Sequence, residues 1–87
     1  MPYIKLEDQE KFKEIETIIP TTSGELNYCV SKLCLNYLKR FGLIKYQFLN
    51  DIIGALDCAK EEFRRRVINP FEDNKIRDNS DIYWIFM

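Results

Sequence analysis

The residues best suited to chemistry are four cations near the end of a long helical stretch: Lys60, Arg64, Arg65 and Arg66. Guanidinium groups present fixed forks of N–H donors that match phosphate and carboxylate, so this cluster is the candidate ligand-binding site, for an anion. The plainer account is a solvated helix end. There cations offset the dipole, and Glu61 and Glu62 pair with Arg65 and Arg66 at i,i+4. Arg64 faces Lys60 at that spacing and is the freest of the four. A second candidate is the terminal run Ile82-Tyr83-Trp84-Ile85-Phe86-Met87, in which Tyr83, Trp84 and Phe86 form a protein interaction surface. Such a run buries itself either on the chain's own helices or on another molecule. Tyr28, Tyr37, Tyr46 and Tyr83 read as amphipathic lids over a core more readily than as ligand contacts.

Catalysis has little to stand on. There is no histidine, the commonest general acid–base, and three glycines at 24, 42 and 54 make no phosphate loop. Neither do any two carboxylates stand out by spacing from the solvated helix faces, so an enzyme is not expected. Cys29, Cys34 and Cys58 occur without a CxxC pair and without histidine, which excludes a conventional zinc site. They read as buried reduced thiols, and neither a metal nor a cofactor is expected.

The elements that would position these residues follow from apolar spacing. Residues 7–19 read as a first helix, with Glu7, Asp8 and Glu10 at its start and Pro20 as its stop. Thr22-Ser23-Gly24-Glu25 is a capping-box pattern, in which Thr22 accepts from the Glu25 amide and the Glu25 carboxylate reaches back to the Thr22 amide. The helix it opens carries Leu26, Cys29, Val30, Leu33, Tyr37, Leu38 and Phe41 on one stripe. Gly42 ends it in the left-handed region. A short link leads to a third helix from about Gln47 to Ile68, with Leu49, Ile52, Ile53, Leu56, Phe63 and Val67 on its buried face. Asn50-Asp51 belongs to its capping. Gly54 reads as a point of close helix–helix approach, within the chain or between subunits. Asn69 then caps a short fourth helix with Pro70 in its first turn.

The chain of 87 residues is 46% hydrophobic and 14% aromatic, which suits one thin-cored domain over 1–87. The expected fold is all-α: a small helical bundle of two long antiparallel helices, a shorter N-terminal helix, a short C-terminal helix and an apolar tail over 82–87. No apolar run is long enough to span a membrane and no signal peptide is visible, so the expected location is the cytoplasm. Net charge is −1, with four acidic and eight basic groups over 26–69 giving +4 between acidic ends. That distribution leaves room for a local anion site and argues against nucleic acid as a partner. A DNA-binding helix-turn-helix, which the short link would allow, is disfavoured by an isoelectric point near 5.4.

MPYIKLED, PTTSGELNY, NDIIGALDCAKEEFRRRV and NPFED together resemble a family of small uncharacterised proteins of bacterial and phage genomes. The likeness covers nearly all of 1–83 and brings no activity, ligand or active-site residue with it. The IYWIFM end departs from the more polar ends of that family. What the resemblance implies, through its phage connection, is a counter-defence protein. The leading expectation is therefore a non-catalytic, self-associating protein, a homo-oligomer that occludes or inhibits an unidentified protein partner. The alternative is a binder that sequesters an anionic small molecule, a metabolite or signalling nucleotide, between subunits.

Overall fold

The computed structural model describes residues 4–80 and 82–83, and among these every regular element is helical. The order is α1 (Leu6–Gln9), a 3₁₀ segment (Glu10–Thr17), α2 (Ser23–Lys39), α3 (Tyr46–Phe63), a π-helical segment (Arg64–Ile68) and α4 (Asn69–Asn79). The all-α class holds. The chain divides into two compact units, Met1–Ala55 and Leu56–Met87, with the boundary inside α3.

In the N-terminal unit, the first helix is α-helical for one turn only and then tightens. Thr17 explains part of this, because its hydroxyl donates to the Glu14 carbonyl at 2.7 Å and draws the last turn inward. The Ile18 amide likewise reaches back three residues, to the Ile15 carbonyl at 3.2 Å. A 3₁₀ turn eclipses side chains at i and i+3, and Lys13 pairs with Glu10 at 3.0 Å across that interval. Ile18, which follows the segment, is extended, two positions before Pro20.

α2 begins as its capping pattern dictates, with one difference. The Thr22 hydroxyl accepts from the Glu25 amide at 3.0 Å, but the Glu25 carboxylate reaches one residue further back than expected. It accepts from the Thr21 amide at 2.9 Å and the Thr21 hydroxyl at 3.0 Å. Those two donors hold the Glu25 carboxyl below the usual carboxylate range, the amide contributing most. At the other end Gly42 takes φ +69°, the left-handed stop anticipated for this helix.

In the C-terminal unit the backbone runs helically from the end of α3 through Arg64–Ile68 into α4, so Asn69 is not the N-cap the sequence pattern implied. Its φ and ψ are −61° and −47°, fully helical. The helix survives Pro70 by widening. The Asn69 amide donates five residues back to the Arg64 carbonyl, and the wider turn carries the chain past a residue with no N–H to give. α4 ends at Ser80, in an unusual positive-φ conformation of +74°.

No described side chain is buried. The stripe on α2 is real, and its least exposed members are Cys29, Val30 and Leu38, half-buried like the neighbouring Cys34. Yet Leu26 and Leu33 remain 54% exposed. The face assigned to α3 and its extension fares similarly: Leu49, Ile53, Leu56, Phe63 and Val67 are exposed, and only Ile52 is half-covered. The cysteines are therefore not buried thiols: Cys29 and Cys34 are half-buried and Cys58 is exposed, all three free. Within the chain Gly54 is not a point of close approach, since a Cβ placed there would meet nothing within 4 Å. Among the described residues no helix is long and apolar enough to cross a membrane.

Candidate functional site

The basic cluster lies wholly in the C-terminal unit, and its ion pairs sort the four cations. Glu62 binds two of them. Its carboxylate accepts from Arg65 at 2.7 Å and sits 3.6 Å from Arg66. Glu61 lies beside Lys60 at 3.9 Å, not beside Arg65 as i,i+4 spacing suggested. Among the described residues no carboxylate comes within 4.0 Å of Arg64, which leaves it the unpaired guanidinium that the sequence pointed to. The π-helical segment begins at Arg64, so the three arginines fan over a wider turn than an α-helix provides. Tyr83 lies in an exposed turn of the same unit, while Trp84 and Phe86 fall outside the described residues.

The N-terminal unit carries an apolar groove that the sequence reading did not single out. Two adjoining hollows of about 430 and 380 Å³ lie between the end of the 3₁₀ segment and the first half of α2. Ile18, Pro20, Tyr28 and Cys29 line both. Glu25 is the charged residue of the first hollow and Lys32 that of the second. Glu25 is occupied by Thr21, and the Lys32 ammonium stands 5.7 Å from the Tyr28 ring centroid.

A third cluster joins α2 to α3. The Arg40 guanidinium carbon stacks 3.7 Å from the Tyr37 ring centroid, 4.1 Å from Phe48 and 4.6 Å from Phe41. Phe48 also meets Tyr37 edge-on at 6.2 Å and Phe41 at 6.0 Å. The Tyr37 hydroxyl donates to Asp51 at 2.6 Å, and the Gln47 amide donates to its other oxygen at 2.8 Å. Asp51 is thus an acceptor inside α3, and not part of its cap. These hydrogen bonds, Tyr37's first, hold the Asp51 carboxyl below its usual range, and the same bond raises the Tyr37 hydroxyl.

A depressed carboxyl stabilises the fold at pH above its unfolded-state value, and that contribution fades as pH falls through the folded value. Acidification below the ordinary aspartate range is accordingly expected to loosen this corner. Asp51→Asn should shrink the drop in thermal midpoint between neutral and acid pH, and near-ultraviolet tyrosine dichroism would follow the loss of the Tyr37 contact. An unchanged acid dependence in the variant would exclude Asp51 as its source.

A family model described as Domain of unknown function (DUF6899) matches residues 1–82. The chain belongs to that family. Comparisons with curated proteins and with solved structures returned no match. In this DUF6899 chain the matched span includes the groove, the aromatic corner and the basic cluster, and stops at the start of the apolar tail. Both the groove and the corner were hidden by the same limit of sequence reading. Period alone marks Leu26, Cys29 and Leu33 as one face, but not which residues of the preceding segment lie against it.

Proposed function

We propose that this protein is a non-catalytic binding protein that acts as a self-associating assembly and occludes a partner protein. One observation carries the reading: large apolar side chains run along the described helices, and none of them is buried. Helices of 17 and 18 residues are marginal in water on propensity alone, and tertiary burial normally holds them. Surface of this kind is what obligate partners cover, since their interfaces resemble a domain core cut in two. The finer form of the reading, drawn from the resemblance to phage proteins, is that the occluded partner belongs to a defence system. Light scattering and native mass spectrometry on the purified chain test the self-association. A defined oligomer at micromolar concentration supports it, and a well-folded monomer over the whole accessible range sinks it.

The unpaired state of Arg64 favours a second reading, a protein that sequesters an anion between subunits, with phosphate held among Lys60, Arg64, Arg65 and Arg66. A charge-assisted contact to phosphate is worth about 1.5–3 kcal/mol, so Arg64→Ala is expected to weaken binding by about one to two orders of magnitude. The ligand-free melting temperature should barely move, because an exposed helix arginine contributes little. Calorimetry against cyclic and linear nucleotides checks both points. Absence of heat with all of them removes this reading and leaves the first.

A further inference from the structure

We infer that the corner between α2 and α3 is an anion-binding site, in which the Arg40 guanidinium receives a phosphate group. The site belongs to the N-terminal unit and stands whether or not the Lys60–Arg66 cluster binds anything. Charge points to it first. Residues 26–50 hold Lys32, Lys39, Arg40 and Lys45 and no carboxylate. Over 51–69 four acidic and four basic groups cancel, so all of the +4 of the 26–69 stretch belongs to its earlier part. An anion responds to unbalanced charge nearby, since in physiological salt the field of an exposed group is screened beyond about 8 Å.

Ion pairing repeats the contrast. Lys60, Arg65 and Arg66 each have a carboxylate within 4.0 Å, at Glu61 or Glu62. Among the described residues no carboxylate comes that close to Lys39, Arg40 or Lys45. Asp51 is the acid of the corner, and its two oxygens accept from the Tyr37 hydroxyl at 2.6 Å and the Gln47 amide at 2.8 Å. Its charge opposes an anion, and those two donors temper it.

The hold on Arg40 is what turns charge into a site. Its guanidinium carbon lies 3.7 Å from the Tyr37 ring centroid, 4.1 Å from Phe48 and 4.6 Å from Phe41. Nη1 also donates to the Tyr37 carbonyl, at the end of α2. Ring contacts use the face of a guanidinium, whereas oxyanions are gripped by its N–H edge. Arg40 is exposed, so most of that edge remains open to solvent. A free arginine must give up side-chain freedom to grip a ligand, and Arg40 has given up much of it beforehand. Arg64 has the charge without the platform: among the described residues no ring lies beside it. Of the planar oxyanion groups a fork can hold, phosphate suits a local excess of cations best, because it carries up to two negative charges. Inorganic phosphate and the phosphate ester of a small metabolite present the same oxygens.

Calorimetric titration of the full chain at constant ionic strength tests the site, with inorganic phosphate in one arm and adenosine monophosphate in the other. Saturable heat is expected, and Arg40→Ala should weaken binding by about ten- to a hundredfold. An answer to phosphate alone assigns the site to the free ion, and a tighter answer to the nucleotide assigns it to an ester. Arg40→Lys should weaken binding about tenfold, because an ammonium keeps the charge and lacks the fork. Phe48→Leu keeps the arginine and removes part of its platform, so it too should weaken binding, which a role for charge alone would not produce. Helical dichroism is read on every variant, and the lysine and leucine variants carry the question if Arg40→Ala does not fold. Absence of saturable heat in both arms overturns the proposal. So does unchanged affinity in the folded Arg40 variants, or a loss seen with Arg64→Ala and not with Arg40→Ala, which would assign the anion to the C-terminal unit.

Discussion

Dilution is expected to remove most of the helical signal of this protein, in one transition that coincides with dissociation. The reason is the distribution of apolar surface. A monomeric domain holds its helices by burying their apolar stripes, and here no described side chain is buried. Burial contributes about 1.5–3 kcal/mol for each large apolar side chain fully covered. A second copy covering even half a dozen such residues therefore supplies an amount comparable with the whole stability of a small domain, about 5–15 kcal/mol. Folding and association then become one equilibrium, and stability acquires a concentration term. Each tenfold dilution withdraws about 1.4 kcal/mol from the assembled side.

The measurement is far-ultraviolet circular dichroism and sedimentation on the same samples, from high micromolar to low nanomolar protein. Both signals should fall together, and the melting temperature should decline steadily before they do. Helicity that stays constant while the mass drops to monomer would show that the chain supports its own helices. The assembly would then be an addition to a stable fold and not its condition.

How much of this was legible in the sequence depended on whether a feature was local. The cap at Thr22 and the stop at Gly42 were read correctly, because each is decided by two to four neighbouring residues. The 3₁₀ character of Glu10–Thr17 was not read. Its apolar spacing fits either helix, and the choice turned on a hydroxyl back-bond at Thr17. Asn69-Pro70 was misread for an instructive reason. The pair is a good N-cap signature, but the same proline can be passed by a widened turn when the preceding helix continues. The stripes on α2 and α3 were identified as apolar faces, yet periodicity says nothing of whose surface covers them. The unpaired Arg64 was visible because its neighbours at i±4 are Lys60 and Ile68, a purely local fact. The groove and the aromatic corner needed the turn geometry between elements.

The corner makes the second large prediction: Phe48→Ala is expected to lower stability by about 2 kcal/mol, measured at fixed protein concentration. Phe48 is half-buried, and its ring takes part in two aromatic pairs, with Tyr37 and with Phe41. Such pairs are worth about 0.5–1.5 kcal/mol each beyond the area they cover. Its face also carries part of the Arg40 guanidinium, 4.1 Å from the ring centroid. Removing the ring leaves Arg40 stacked on Tyr37 and Phe41 alone, so the link between the end of α2 and the start of α3 loses its shared anchor. For a domain of this size about 2 kcal/mol corresponds to roughly 10 °C in melting temperature. Phe48→Leu separates the causes, since it keeps much of the apolar volume and loses the ring geometry. It should recover only part of the loss. A variant pair that melts within a degree or two of the parent would mean that the corner contributes nothing, and that contacts made on assembly set the angle between these helices.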